Sequence, residues 1–119
     1  MLRNMLRSKI QNAVITQAEL EYEGSITLDA SIVDAAGLLP GENVLIVNLN
    51  NGDRFETYVI VGEPGSGVVC LNGPAARRGL VGDRIHILAF GWVEDDQAAQ
   101  VQPYFVALGP GNSIIETRP

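Results

Sequence analysis

The feature that most constrains this chain is its rhythm. Short runs rich in Val, Ile, Leu and Thr recur along the sequence. Gly, Pro, Asn or Asp interrupts them at intervals of about 8 to 12 residues. Such spacing leaves little room for long helices and predicts a mainly β fold, a small barrel with short helices. The expected strands cover residues 1–6, 12–16, 25–28, 44–49, 54–61, 68–71, 84–89 and 105–108. Between two of them lies Asn50-Asn51-Gly52-Asp53, whose residues tolerate the positive φ of a tight hairpin. Two helical turns break the pattern. One spans residues 31–36, with Asp29 or Ser31 as its N-cap and Gly37 as its stop. The other starts at Pro74, where a missing N–H costs nothing, and ends near Gly79. From Gly109 onward the tail has little that could pack, and it is expected to be mobile.

Composition narrows the possibilities further. At 119 residues, the chain fits one domain spanning residues 1–119. A net charge of -6 argues against nucleic acid as a partner, because that affinity is built from clustered Lys and Arg. The single cysteine, Cys70, lies in Val68-Val69-Cys70-Leu71 and reads as a small buried hydrophobe, so no intramolecular disulfide is possible. The cationic start of the chain is not followed by an apolar run of signal length, and no stretch reaches the roughly 18 residues of a membrane span. A soluble, cytoplasmic protein with no membrane partner is the expectation.

Residues 54–61 form the most informative strand, because a period of two puts Arg54, Glu56, Tyr58 and Ile60 on one face. A cation and a phenol therefore lie near each other. The plainer alternative is an exposed face on which Arg54 pairs with Glu56. Lys9 is the only lysine, and alone it reads as a surface residue. His86 alternates with Ile85 and Ile87 and should point outward from the barrel rather than act as a base. No histidine or cysteine pair has metal-ligand spacing, and no Gly-rich loop precedes a long helix, so neither a metal nor a nucleotide is expected.

Tyr22-Glu23-Gly24-Ser25 resembles the self-processing site of bacterial aspartate 1-decarboxylases. The resemblance extends through Met1-Leu2-Arg3, Met5-Leu6, Ser8-Lys9-Ile10, Asp34-Ala35-Ala36-Gly37-Leu38-Leu39, Asn51-Gly52, Arg54, Thr57-Tyr58, Asn72-Gly73 and Ala75-Ala76, in matching order up to about Phe90. It implies a double-psi β-barrel, a homotetramer, and active sites between neighbouring subunits. It also implies that the chain cuts itself between Gly24 and Ser25, giving a β chain of residues 1–24 and an α chain of residues 25–119. The cofactor would be a covalent pyruvoyl group derived from Ser25, the substrate L-aspartate, and the product β-alanine for pantothenate synthesis.

The chemistry explains the residue types. Serine supplies both the nucleophile and, later, the leaving group. Glycine before it lets the backbone adopt a strained geometry and lets the hydroxyl approach the carbonyl. By resemblance, the Thr57 hydroxyl stabilises the oxyanion. Lys9 and Arg54 would make a local positive pocket for the substrate carboxylates, Arg54 through its planar fork. Asn72, Gly73 and Ala75 belong to a turn whose N–H groups can hold a carboxylate. Tyr58 would protonate the carbanion.

Three positions depart from the family pattern. Gln11 and Glu21 stand where histidine is common, and Pro74 replaces a usual alanine and removes a backbone donor. Two other readings remain open: a pyruvoyl decarboxylase of another amino acid, or a non-enzymatic β-barrel binding module in which Gly24-Ser25 is only a turn.

Overall fold

In the computed structural model, which describes residues 1–119, hydrophobic alternation becomes the inside and outside of a sheet. On β4 (Asn43–Asn48), Val44, Ile46 and Asn48 are buried while Asn43 is exposed. On β7 (Arg84–Glu94), Ile85, Ile87 and Ala89 are buried, and His86, Leu88 and Phe90 take the other side. The remaining strands are β1 (Leu2–Val14), β2 (Gln17–Glu19), β3 (Ser25–Asp29), β5 (Arg54–Gly62), β6 (Val69–Asn72), β8 (Tyr104–Leu108) and β9 (Ile114–Arg118). The helix α1 (Ala30–Ala35) follows β3, and three 3-10 turns lie at Gly73–Arg77, Asp95–Gln100 and Pro110–Asn112. No helix is long and apolar enough to cross a membrane.

The hydrogen-bonded order is β2-β6-β3-β5-β4-β7-β1-β8-β9. Only Ile15 and Thr16 separate β1 from β2, so the order running from β2 to β1 returns to the stretch of chain where it began. The Ile15 N–H donates to Asp83 O (2.9 Å) and the Thr16 N–H to Val69 O (2.8 Å), which stitches this seam. The sheet thus closes into the expected barrel, with β8 and β9 added outside β1. Pairing is mixed: β3–β5, β2–β6 and β1–β8 are parallel, the others antiparallel.

Inside the barrel lies one cluster of buried apolar residues, including Ile10, Ile26, Leu28, Ile46, Val59, Leu71, Ile85 and Ile87. Burying each such side chain is worth roughly 1.5–3 kcal/mol. The ion pairs Arg3–Asp95 and Arg78–Asp53 are half-exposed, and such pairs contribute at most about 1 kcal/mol each. The core, not the charges, holds the barrel.

Asp29 is the cap of α1, since its carboxylate accepts from the Ser31 N–H at 2.8 Å. The same carboxylate accepts from the N–H groups of Gly65 (3.0 Å) and Gly67 (2.8 Å), tying the loop after β5 to the helix. Gly37 stops the helix with φ +69°, as expected.

The structure differs from the sequence expectation in several places. The strands expected at 1–6 and 12–16 are one strand, β1, with irregularities between Leu6 and Ser8 and between Ile10 and Ala13. Asn12, at φ 64°, makes the second irregularity possible, because asparagine tolerates the left-handed region. β7 continues to Glu94, since its second half pairs with the start of β1. The turn expected from Pro74 begins at Gly73. The tail is not loose: β9 pairs with β8, and buried Asn112 anchors the turn before it. Its amide accepts from the Val14 N–H (2.8 Å) and donates to Val14 O (2.9 Å) and Gly67 O (2.8 Å), standing in for a strand partner.

Candidate active site

The junction of Gly24 and Ser25 lies where the chain enters β3. Ser25 is paired with Asn72 across the antiparallel β3–β6 ladder and has no solvent exposure. Its hydroxyl donates to Glu23 O (3.1 Å) and accepts from Asn72 Nδ2 (2.9 Å). Asn72 Nδ2 also donates to Thr27 Oγ1 (2.8 Å), and Asn72 Oδ1 accepts from Cys70 Sγ (3.1 Å). The serine oxygen is thus held from two sides in a dry setting, where hydrogen bonds fix position strongly.

Gly73 backs onto this junction. It has φ +62°, and a Cβ there would lie 2.6 Å from Tyr22 O, 2.7 Å from Gly24 N and 2.9 Å from Gly24 Cα. Only a residue without a side chain allows this approach. The turn expected to bind a carboxylate is therefore first a support for the bond at Gly24. Asn72 precedes that turn without capping it, because its side chain is spent on Ser25 and Thr27.

Beside the junction opens a cleft of about 250 Å³, lined by Gly24, Phe55, Glu56, Thr57, Pro74, Ala75 and Arg78. Thr57 shares the barrel-facing side of β5 with Phe55 and buried Val59, and it lines this cleft together with Phe55 and with Glu56 from the opposite face. Thr57 and Gly24 thus line one cleft. Arg78 and Glu56 also line it and were not foreseen; Arg78 lies 3.6 Å from Asp53.

Lys9, Arg54 and Tyr58 do not line this cleft. Register places Lys9 opposite Leu88, Leu88 opposite Leu45, and Leu45 opposite Glu56. Val47 lies between Arg54 and His86, and Asn43 faces Tyr58. The three residues therefore share the outer face of β1, β7, β4 and β5 with His86, and strand spacing puts Lys9 about 14 Å from the β5 row. Arg54 is exposed and makes no ion pair, so the alternative in which Glu56 neutralises it does not occur.

Comparison with known proteins decides the family. Residues 1–115 match the family model described as aspartate decarboxylase. The chain belongs to the aspartate decarboxylase family. It is 51% identical over 114 residues to the aspartate 1-decarboxylase of Listeria monocytogenes serovar 1/2a, covering 96% of this chain and 90% of that protein. The aspartate 1-decarboxylase of Leptospira biflexa serovar Patoc is 50% identical over 113 residues, covering 94% of this chain and 96% of that protein. That of Desulfotalea psychrophila is 45% identical over 116 residues, covering 98% of each.

In this aspartate decarboxylase family member, the electrostatics divide the same way as the geometry. His86 lies half-buried on the outer face and accepts from the Asn12 N–H at 3.2 Å. Burial first, then the nearby charges of Lys9 and Arg84, push its pKa below the ordinary histidine value. Cys70 is buried as expected, but it is not a mere hydrophobe, because its thiol donates to Asn72. Burial first, then the charge of Glu19, raises its pKa and keeps the proton on sulfur. Gln11 lies on β1 opposite Ala107, and Glu21 is exposed in the turn before Gly24. Pro74 touches the junction, its Cδ lying 3.4 Å from where a Gly24 Cβ would be.

Proposed function

We propose that this protein decarboxylates L-aspartate to β-alanine and carbon dioxide, through a pyruvoyl group that it makes from its own Ser25. Family membership along nearly the whole chain supports the reaction. The observation that carries the maturation is the Gly24–Ser25 junction: a buried serine, oriented by Asn72, follows a glycine pressed against Gly73.

In the maturation, the Ser25 oxygen bonds to the Gly24 carbon, the C–N bond breaks, and the hydroxyl proton ends on the freed Ser25 amine. Thr57 donates to the oxygen that carries charge meanwhile. Loss of the Ser25 α-proton and cleavage of its Cβ–O bond then release residues 1–24 with a carboxylate on Gly24. Water replaces ammonia at the former serine, leaving a ketone on residues 25–119. The residues present fit such a group: its site is buried and offers Asn72 Nδ2 as a donor.

The pyruvoyl ketone supplies the attachment point for a substrate amine, and its neighbouring carbonyl accepts the electron pair left by carbon dioxide. This chain's residues do the rest. Asn72, Gly73 and Ala75 shape the floor on which substrate rests. The Arg54 fork and Lys9 hold its carboxylates, and Tyr58 Oη delivers a proton to the carbon that lost carbon dioxide. As the family resemblance implies, we propose a homotetramer with each site between neighbouring copies, one giving the cleft and the other its outer face. β-Alanine made in the cytoplasm would feed pantothenate synthesis.

Mass measurement of purified protein tests the reading. The expected result is two chains of 24 and 95 residues, the longer one lighter by one ammonia than its serine-started form. Intact chain alone after prolonged warming would overturn the cofactor, and a split chain that fails to turn over L-aspartate would overturn the substrate.

A further inference from the structure

The two ends of the Asn72 amide are alike in shape and opposite in chemistry, so its orientation decides what Ser25 experiences. With Nδ2 inward, Ser25 Oγ receives a hydrogen bond at 2.9 Å and sends its own proton to Glu23 O at 3.1 Å. With the amide reversed, Oδ1 would draw the Ser25 proton to itself, and the oxygen would turn away from its present alignment. Thr27 does not select between these states, because a hydroxyl can donate or accept. A group at the far end of the amide must choose.

That group is Cys70. It lies two residues before Asn72 on β6, so both side chains take the same face of the strand. Its Sγ is 3.1 Å from Asn72 Oδ1, and both residues are buried. The thiol has one proton to give, and its surroundings keep that proton in place.

We propose that Cys70 is a positioning residue for maturation: by donating to Asn72 Oδ1, it holds Nδ2 on Ser25 Oγ and so aligns the hydroxyl with the Gly24 carbonyl. The inference rests on the self-processing proposed above. In that step the Ser25 oxygen bonds to the Gly24 carbon as the Gly24–Ser25 C–N bond breaks, the proton passing to the freed amine. Cys70 takes no part in these bonds, and it acts only through Asn72.

The test compares three variants with wild type, each purified unprocessed and followed by intact mass while it splits. Cys70→Ser keeps a donor, Cys70→Val keeps roughly the volume and loses the donor, and Cys70→Ala loses both. The expected result is splitting of Cys70→Ser at a rate near that of wild type. Cys70→Val and Cys70→Ala should be about tenfold slower, the effect of losing one ordinary hydrogen bond on the way to the transition state. Thermal melting of each identifies a variant slowed by unfolding, and if valine does not fold, the serine–alanine pair carries the comparison. Equal rates in all three variants and wild type would overturn the proposal. So would a serine variant as slow as the donorless ones, which would assign the effect to packing. A wild type that never splits removes the maturation and this inference together, whereas a wild type that splits beside an equally fast donorless variant removes the inference alone.

Discussion

Replacing Gly73 with alanine puts a methyl group where the structure has none to spare. At φ +62° the alanine backbone is in the left-handed region, which costs an L-residue roughly 1–2 kcal/mol. The new Cβ would also meet Tyr22 O at 2.6 Å, Gly24 N at 2.7 Å and Gly24 Cα at 2.9 Å. These are backbone atoms, so no rotamer change relieves the overlap and the segment before Ser25 must shift. Overpacking of this kind adds roughly 1–3 kcal/mol. The sum, about 2–5 kcal/mol, corresponds at about 4 °C per kcal/mol to a drop in Tm of roughly 8–20 °C. Gly52→Ala is the control, because Gly52 has φ +78° and nothing within 4 Å of its would-be Cβ. It carries only the backbone cost and should split normally. The melts are compared in a Ser25→Ala background, so that all proteins are unprocessed, and splitting is followed by mass with Ser25 intact. Gly73→Ala should lose stability and split far more slowly than Gly52→Ala. If it melts within 2 °C of the control and splits as fast, the close contact is not what holds the junction.

Three further outcomes follow from named residues. Arg54→Lys should fold and split normally yet use aspartate poorly, with the loss mainly in KM, since an ammonium keeps charge without the fork; unchanged kinetics would return Arg54 to the role of a surface residue. Burial opposes charge on Asp29, but the N–H groups of Gly67, Ser31 and Gly65 outweigh it and lower its pKa. That stability is present above the ordinary carboxylate pKa and lost as pH falls through the lowered value. Asp29→Asn should therefore cost roughly 1.5–3 kcal/mol at pH 7 in denaturant titrations, the gap closing in acid. The pKa of His86 is lowered in the folded state, so the unfolded chain binds its proton first and stability falls as pH drops below about 6.5. His86→Gln should flatten that part of the pH–stability curve, and an unchanged slope would show that other groups set it.

The barrel was legible because alternation and punctuation are local signals, and β4, β5 and the first half of β7 follow them closely. What sequence could not show was anything set by register between distant strands. Ser25 and Asn72 meet because β3 pairs antiparallel with β6, although 47 residues separate them. Cys70 looked like core because its neighbours are apolar, and its hydrogen bond depends on Asn72 being drawn inward. The tail misled for a similar reason: Gly109, Pro110 and Gly111 signal a turn, but one buried asparagine 98 positions from Val14 anchors it. The site residues named from resemblance were split by the same geometry. Gly24, Thr57 and Ala75 line one cleft, Ser25, Asn72 and Gly73 form its support, and Lys9, Arg54 and Tyr58 lie on the outer face.

That division makes Tyr58 the residue that separates forming the cofactor from using it. Thr57 and Tyr58 are neighbours on β5, and strand alternation sends the threonine to the Gly24 cleft and the phenol to the outer face. Thr57 lines the cleft at Gly24 and Tyr58 does not. Turnover needs a group that can give a proton to the carbon that lost carbon dioxide, and the Tyr58 hydroxyl has one to give. Tyr58→Phe should therefore split normally between Gly24 and Ser25 and form little β-alanine, measured on one preparation by mass and by chromatography. A processed variant with unchanged turnover would remove Tyr58 from the reaction, and one that fails to split would move it to maturation. Mixing then tells whose tyrosine acts. Ser25→Ala chains keep Tyr58 but cannot form the cofactor, so alone they are inactive. Co-assembled with Tyr58→Phe chains, they should restore activity if one copy's cleft meets the outer face of the next. Mixed tetramers, verified by native mass, that remain inactive would show that each cleft depends on the tyrosine of its own chain.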